Sequence, residues 1–172
     1  MELKELEKGS LKVIEGSDHR PVSSLAVKVV SCEGKNALIM DGSQTVNPYF
    51  MIRECKKAGL NEREVLKKIN ISRAFTAYQF MDLIIKGERK LKKTDTAFLG
   101  TVALSSVFED DEVREEEGRW MRYRVTKKIR RLVREKDLYG VIVDSEVEIF
   151  KQRSVIEKSS KENKHKQVKA LI

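Results

Sequence analysis

The sequence alternates apolar segments of strand length with segments whose apolar residues recur at helical spacing, and this alternation restricts the fold more than any other feature. The longest apolar run, residues 96–107, shows no polar alternation, which is typical of a strand covered on both faces in a parallel sheet. Alternation of this kind predicts an α/β fold with a mainly parallel sheet and right-handed crossovers. The five predicted strands are residues 11–14, 37–40, 69–74, 96–107 and 138–143.

Helix boundaries are predicted from caps and breakers. Ser23 or Ser24 is expected to cap the first helix, which Gly34 ends. Pro48 suits the first turn of the second helix. A short helix is predicted at 61–68, a helix beginning at Thr76, and a long amphipathic helix at 119–136, where the apolar stripe runs from Met121 to Val133.

Length and charge favour one domain followed by a basic tail. The chain has 172 residues, with 35 Lys and Arg against 27 Asp and Glu, a formal net charge of +8. Residues 151–172 hold six Lys and one Arg against two Glu, which accounts for +5 of that charge. We therefore predict a domain over residues 1–150 and a basic C-terminal tail over 151–172.

Several classes of protein are excluded by composition. Two cysteines cannot build a disulfide framework, and neither lies at metal-ligand spacing. The N-terminal segment is charged where a signal peptide would be apolar, and no run approaches the ~18 apolar residues that cross a bilayer. We expect a cytoplasmic protein that does not contact membranes.

The turn between the first strand and the first helix has the outline of a phosphate-binding loop. A P-loop reads Gly, four residues, Gly, Lys, then Ser or Thr. Gly16 and Ser23 stand at the first and last of these positions, but Pro21 replaces the second glycine and Val22 replaces the lysine that would meet the phosphates. The frame of the motif is present and its cation is absent.

Residues 9–16, 37–48 and 59–76 resemble, in order and spacing, the RecA-type ATPase domain of archaeal recombinases, the group of RadA, RadB, their paralogues and KaiC. The resemblance implies a RecA-like P-loop fold with strand order 3-2-4-5-1 and helices on both faces. The family's sheet continues with later strands, whereas this sequence is expected to be truncated after the fifth. The first strand would then lie at or near an open edge. Residues 147–156 are expected to cover that edge, unless two subunits meet there as a homodimer.

The same resemblance implies a loss of catalytic groups. The family's catalytic glutamate falls on Ser43, within an Asp-Gly-Ser-Gln-Thr segment at 41–45, and its Mg²⁺-site aspartate falls on Val102. With Val22, three contributions to phosphoryl transfer are missing. We expect no catalytic residue, no metal and no cofactor. If nucleotide is bound without turnover, the expected contacts are Gly16, Ser17, His19, Arg20 and Ser23.

The basic residues on the long helix have two interpretations. Nine cations in residues 119–136 could follow a phosphate backbone, or could form a solvated face that pairs with the acids of 109–117. For Trp120, Met121 and Tyr123, packing in the core is favoured over stacking on nucleobases. The candidate nucleic-acid contacts are Arg122, Lys127, Arg130, Arg131, Arg134, Lys151 and Arg153.

The expected function is that of a catalytically inactive RecA-type paralogue, a binding or assembly partner in DNA recombination or repair. A protein partner is favoured over nucleic acid as the direct ligand, because the loops expected along the family's DNA path, residues 108–118 and 144–148, are acidic. Two alternatives stay open: an ATPase or ATP-binding protein completed by a neighbouring subunit, and a scaffold unrelated to DNA.

Overall fold

A computed structural model describes residues 3–109 and 113–147. The described residues form five strands and six helices, after a single 3₁₀ turn at Leu3–Glu5. The strands are β1 Leu11–Glu15, β2 Asn36–Asp41, β3 Ile69–Arg73, β4 Thr96–Val102 and β5 Tyr139–Asp144. The helices are α1 Arg20–Glu33, α2 Pro48–Lys57, α3 Glu62–Leu66, α4 Ala77–Lys93, α5 Leu104–Phe108 and α6 Glu115–Glu135. Within these ranges no helix is both long enough and apolar enough to cross a membrane.

The strands form one sheet in the order β1-β5-β4-β2-β3, and every neighbouring pair is parallel. This is the predicted order 3-2-4-5-1 seen from the other end, so the predicted fold class is confirmed. In the register, Val13 lies beside Ile142 and Leu38 beside Leu99. All five strands therefore end at the same edge of the sheet, where the loops after β1, β2, β4 and β5 meet.

Each face of the sheet has its own apolar core. On β2, Leu38 and Met40 pack with residues of α4, α5 and α6, whereas Ala37 and Ile39 pack with residues of α1, α2 and α3. The two sets alternate because successive side chains of a strand point to opposite faces. Both faces are covered, which explains why the strand sequences are continuously apolar.

Local capping explains where three helices begin. The Asn47 side chain accepts a hydrogen bond from the Tyr49 N–H, and the Asn61 side chain accepts from two backbone N–H groups of α3. Thr76 caps α4 through the Gln79 N–H. These side chains satisfy backbone donors that have no partner inside the helix, and they confirm the helix starts predicted near Pro48, Asn61 and Thr76.

The strand β4 is shorter than predicted, and β1 lies where it was predicted. The run at 96–107 is not a single strand: β4 ends at Val102, Ala103 adopts a left-handed backbone with φ of 51°, and α5 follows. β1 is an edge strand, as predicted. Of the segment expected to cover it, Val147 is described and buried, and residues 148–156 lie outside the described residues. The cover and the separate tail stay predictions.

Candidate functional site

The turn after β1 is shorter than a phosphate-binding loop requires. Gly16 has φ of 142°, which favours glycine, and its N–H donates to the carbonyl of Asp144 at 2.9 Å. α1 begins at Arg20 with His19 at its N-cap, so the predicted caps at Ser23 or Ser24 are wrong. Proline is tolerated in the first turn of a helix because its missing N–H has no partner there. Helix therefore occupies part of the sequence that the motif would use as loop.

The N-terminus of α1 already holds an anion. Asp18 accepts a hydrogen bond from the Arg20 backbone N–H at 2.9 Å and another from the Arg20 guanidinium. Partial burial on its own would raise the pKa of Asp18, but these hydrogen bonds prevail and hold it below its usual value. A helix N-terminus favours negative charge. A phosphate group at this helix terminus would lie beside the Asp18 carboxylate and would be repelled by it.

Of the five residues proposed as nucleotide contacts, Ser17 and Arg20 are exposed. Ser23 is fully buried inside α1, and its Oγ lies 2.9 Å from Nδ1 of His19. The His19 ring in turn packs edge-on against Phe50 of α2, with 5.6 Å between the ring centroids. The structure brings Gly16, Ser17, His19, Arg20 and Ser23 into one turn, but it ties His19 and Ser23 to each other.

Val22 lies in the core. Its side chain is fully buried, and a Cβ built on Gly100 would lie only 2.5 Å from the Val22 Cγ1. Val22 therefore packs directly on the backbone of β4. A side chain at this position points to the sheet and not to the mouth of the turn, so a cation placed here would have to be buried.

The positions implied for the other catalytic groups also serve packing or turn formation. Ser43 donates from its Oγ to Oδ1 of buried Asp41 at 2.9 Å, and its hydroxyl lies 2.7 Å from that of Thr45. Asp41 also accepts from the Ser43 and Val46 N–H groups. Val102 is fully buried at the end of β4. Among the described residues, no group of three His, Cys, Asp or Glu side chains could hold a metal.

A charged cluster that was not predicted from the sequence joins α6 to the segments that follow α5 and β5. The Arg122 guanidinium of α6 donates to Glu109 at 2.7 Å and to Glu146 at 2.9 Å, and the residue is 7% exposed. Asp144 is buried beside this cluster and accepts from the Ser105 and Glu146 N–H groups. Arg122 is therefore removed from the exposed basic face on which the sequence placed it.

A signal for this arrangement was present in the sequence. Arg122 follows Met121 and precedes Val125 by three residues, so it falls on the apolar stripe of α6. A cation on a buried stripe needs a carboxylate partner. What the sequence could not specify was that the partners would come from two separate loops at the carboxyl edge of the sheet.

Two glutamates that form ion pairs with side chains of α6 have pKa shifts of opposite sign. Burial, with the neighbouring Glu146 carboxylate, raises the pKa of Glu109 above its usual value, and Arg122 opposes this. Glu88 of α4 pairs with Lys128 and with Arg131 at 3.1 Å. The hydrogen bond from Lys128 prevails over partial burial and lowers the pKa of Glu88.

Neutral replacements at these two glutamates should therefore shift stability in opposite directions. Glu88→Gln is expected to lower the free energy of unfolding at pH 7, because the ionised form is favoured in the fold. That loss disappears as pH falls through the lowered pKa. Glu109→Gln is expected to raise the free energy of unfolding at pH 7, and that gain disappears as pH falls below the ordinary value of about 4.3.

Each effect should stay below about 1 kcal/mol, because both carboxylates keep contact with solvent. Urea unfolding of both variants and the unmodified chain between pH 3.5 and 7, in steps of about half a unit, measures the effects. Two shifts of the same sign at pH 7 would contradict the assignment.

The remaining candidate nucleic-acid contacts differ in their exposure to solvent. Lys127, Arg131 and Arg134 are exposed on α6 and Arg130 is half-buried, while Lys151 and Arg153 lie outside the described residues.

The residues of α6 that were predicted to pack in the core differ in their burial. Met121 is buried as predicted, but Trp120 and Tyr123 are 52% and 37% exposed, so their predicted core packing is wrong.

The all-parallel order 1-5-4-2-3, with a glycine turn between the edge strand β1 and α1, is the order expected of an α/β protein of the RecA-like class. The Rad51 family model matches residues 21–171. The chain belongs to the Rad51 family. The match begins at Pro21, so the turn at 16–20 lies outside it, and it runs past the predicted domain boundary at residue 150. No curated protein sequence matches the chain.

Proposed function

We propose that this chain is a catalytically inactive Rad51-family paralogue that acts as a binding or assembly partner in DNA recombination or repair. Membership of the family relates the chain to recombination and repair. The proposal of inactivity depends chiefly on Val22, because the side chain in place of the phosphate lysine is fully buried against Gly100. Without a cation there, the charge that develops in phosphoryl transfer lacks the stabilising lysine that the motif provides.

Charge pairing around the turn supports the same conclusion. Among the described residues near the carboxyl edge, three arginines already pair with carboxylates: Arg20 with Asp18, Arg73 with Asp41, and Arg122 with Glu109 and Glu146. Bringing a triphosphate here would require breaking such pairs or adding negative charge beside Asp144. Electrostatics at this edge therefore oppose nucleotide binding.

One observation favours the alternative, a nucleotide-binding protein completed by a neighbouring subunit. α1 is 14 residues long and its N-terminus meets a glycine turn, so its geometry could still accept an anion if Asp18 withdrew. Exposed Arg20 would then face that anion. This alternative predicts measurable affinity for ATP, which the proposed function does not.

Isothermal titration with Mg-ATP, together with a phosphate-release assay, tests the proposal. No binding heat at millimolar ATP and no hydrolysis above buffer are expected. Asp18→Ala is the informative variant, because it removes the resident carboxylate and leaves Val22 in place. Micromolar affinity of the unmodified chain would overturn the proposal, as would hydrolysis that Asp18→Ala or Ser43→Ala changes. Hydrolysis that neither variant changes would also overturn it, because it would indicate a second site.

A further inference from the structure

The edge strand β1 has one open side. Among the described residues it pairs with β5 alone, and its other side faces no strand. The backbone N–H and C=O groups of an open edge are available to pair with an added strand. Lys12, Val13 and Ile14 of β1 are only half-buried, so neither α1 nor α6 covers this edge completely. The open side of β1 is therefore a surface to which another strand can add.

A cavity of about 630 Å³ borders the open side of β1. Its apolar walls include Ile14 of β1, Pro21 of α1 and Phe50 of α2, and Lys12 and Asp18 give it one charge of each sign. It lies on the side of the sheet that carries α1, because Ile14 packs with residues of that helix. Since successive side chains of a strand point to opposite faces, every second side chain of an added strand would enter this cavity.

A second copy of β1 fits this edge in one register. In an antiparallel pair, opposite side chains lie on the same face, so a twofold pairing must be centred on a residue. Centring on Val13 pairs all five residues of β1. Leu11 then lies opposite the partner's Glu15, and Lys12 lies opposite the partner's Ile14. Centring on Lys12 would instead place two ammonium groups opposite each other, which is unfavourable.

The charges in the cavity favour a second copy as the added strand. In the register centred on Val13, the partner's Lys12 stands beside Ile14 and enters the cavity that Asp18 lines. The Asp18 side chain pairs with Arg20 and is still 42% exposed, so it can accept a second cation. Lys12 pairs with Glu5 at 3.5 Å in a partly exposed contact, and giving up such a contact costs little. Symmetry repeats the new ion pair, so each dimer gains two.

We propose that two copies of this chain associate through β1, antiparallel and centred on Val13, so that their two five-stranded sheets form one continuous sheet. Lys12 of each copy pairs with Asp18 of the partner subunit. The partner's Ile14 and the alkyl part of the partner's Lys12 occupy the cavity beside Phe50. Removing these apolar groups from water adds to the backbone hydrogen bonds between the two strands.

This self-association goes beyond the proposed function and does not depend on it. Sedimentation of the chain in the absence of nucleotide tests the association, whereas titration with Mg-ATP tests the inactivity. Failure of one experiment therefore leaves the other undecided.

Sedimentation velocity of the full chain at about 5 to 200 μM should show monomer and dimer in a concentration-dependent equilibrium. Lys12→Glu and Asp18→Lys should each weaken the dimer about tenfold or more, because symmetry repeats the new like-charge contact. An equimolar mixture of the two variants should associate about as tightly as the unmodified chain. Every contact at these positions in the mixed dimer again joins opposite charges, and a folding defect in either variant would not be repaired by mixing.

Lys67→Glu is a matched control for the lysine. Lys67 is exposed on α3, beside the other edge strand β3, and pairs with Glu64 at 3.1 Å, so the variant breaks a similar ion pair away from β1 and should leave the dimer unchanged. If circular dichroism shows that Asp18→Lys is unfolded, Asp18→Asn takes its place. An asparagine keeps an oxygen for the Arg20 N–H and should weaken the dimer about threefold.

A disulfide cross-link locates the twofold axis. Val13→Cys in a Cys32→Ser background removes the exposed cysteine and places two thiols opposite each other, where Cβ atoms of an antiparallel pair lie about 4.5 to 5.5 Å apart. Mild oxidation should link two copies of this variant. Ile71→Cys in the same background, at the middle of the edge strand β3, should give no cross-link.

Four outcomes would overturn the inference. A chain that stays monomeric at every concentration would do so, and residues 147–156 would then stay the predicted cover of β1. Association that neither charge variant weakens would place the interface elsewhere, as would a mixture of the two variants that does not recover. Cross-linking through Ile71→Cys and not through Val13→Cys would assign the association to β3.

Discussion

Val22→Lys is expected to destabilise the protein by about 4 kcal/mol or more and to confer no affinity for ATP. The substitution restores the lysine of the phosphate-binding motif in sequence, yet the structure places this side chain against Gly100, fully buried. An ammonium group there would lose its hydration without gaining a partner, and its longer side chain would not fit. A loss of stability of this size is rare for a single substitution, and burial of an unpaired charge is one of its few causes.

Matched variants on α1 separate charge burial from other effects of lysine. Ser31→Lys places a lysine on the exposed side of the same helix and should change stability by less than about 0.5 kcal/mol. Val22→Ala removes buried methyl groups and should cost about 2 kcal/mol. Urea unfolding gives the free energies, and titration with Mg-ATP gives the affinity. A folded Val22→Lys variant that binds ATP would show that position 22 still faces the nucleotide.

The order of strands could be predicted because it follows from local patterns and one resemblance. Five apolar runs, each followed by a helix or a turn, leave few parallel topologies, and the spacing of residues 37–76 resembled one of them. Helix starts near Pro48, Asn61 and Thr76 could be predicted, because the signals at helix starts, such as the caps seen here, act within three residues. Information of this kind is present in short segments.

Details that depend on contacts between distant segments could not be predicted. Nothing local indicates that Ala103 adopts a left-handed backbone and divides the run 96–107, since alanine rarely does so. Likewise, α1 begins at Arg20, with His19 as the N-cap residue and Asp18 accepting a hydrogen bond from the Arg20 N–H, and not at the serines that the pattern suggested. Helical spacing alone also did not show that Met121 would be buried while Trp120 and Tyr123 are exposed.

The candidate site could be predicted only in part, because much of it depends on contacts between distant segments. Through the resemblance, residues 22, 43 and 102 imply that the lysine and both carboxylates are absent, and this stays a prediction. Their replacement by packing and turn contacts could not be predicted, because it depends on Gly100, Asp41 and the end of β4. Burial of Arg122 with Glu109 and Glu146 joins three segments and is a property of the assembled sheet edge.

Two glycines inside helices should respond in contrasting ways to replacement by alanine. Helix propensity alone predicts that each variant gains about 1 kcal/mol. At Gly118 of α6, a Cβ would lie 2.1 Å from the backbone oxygen of Phe108, whereas at Gly87 of α4 the nearest atom is the methyl of Met40 at 2.4 Å. The end of a methionine side chain can rotate away, and a backbone carbonyl cannot without moving its segment.

Gly118→Ala is therefore expected to lower the free energy of unfolding by about 3 kcal/mol or more, and Gly87→Ala to change it by less than about 1 kcal/mol. Phe108 cannot retreat easily, because it is 2% exposed and packs edge-on against Phe80 with 5.9 Å between centroids. Urea unfolding of both variants measures the difference. Equal effects would show that α5 and α6 can separate freely. A large difference would mean that their close approach at Gly118 fixes the rotation of α6, which turns Arg122 inward and Trp120 outward.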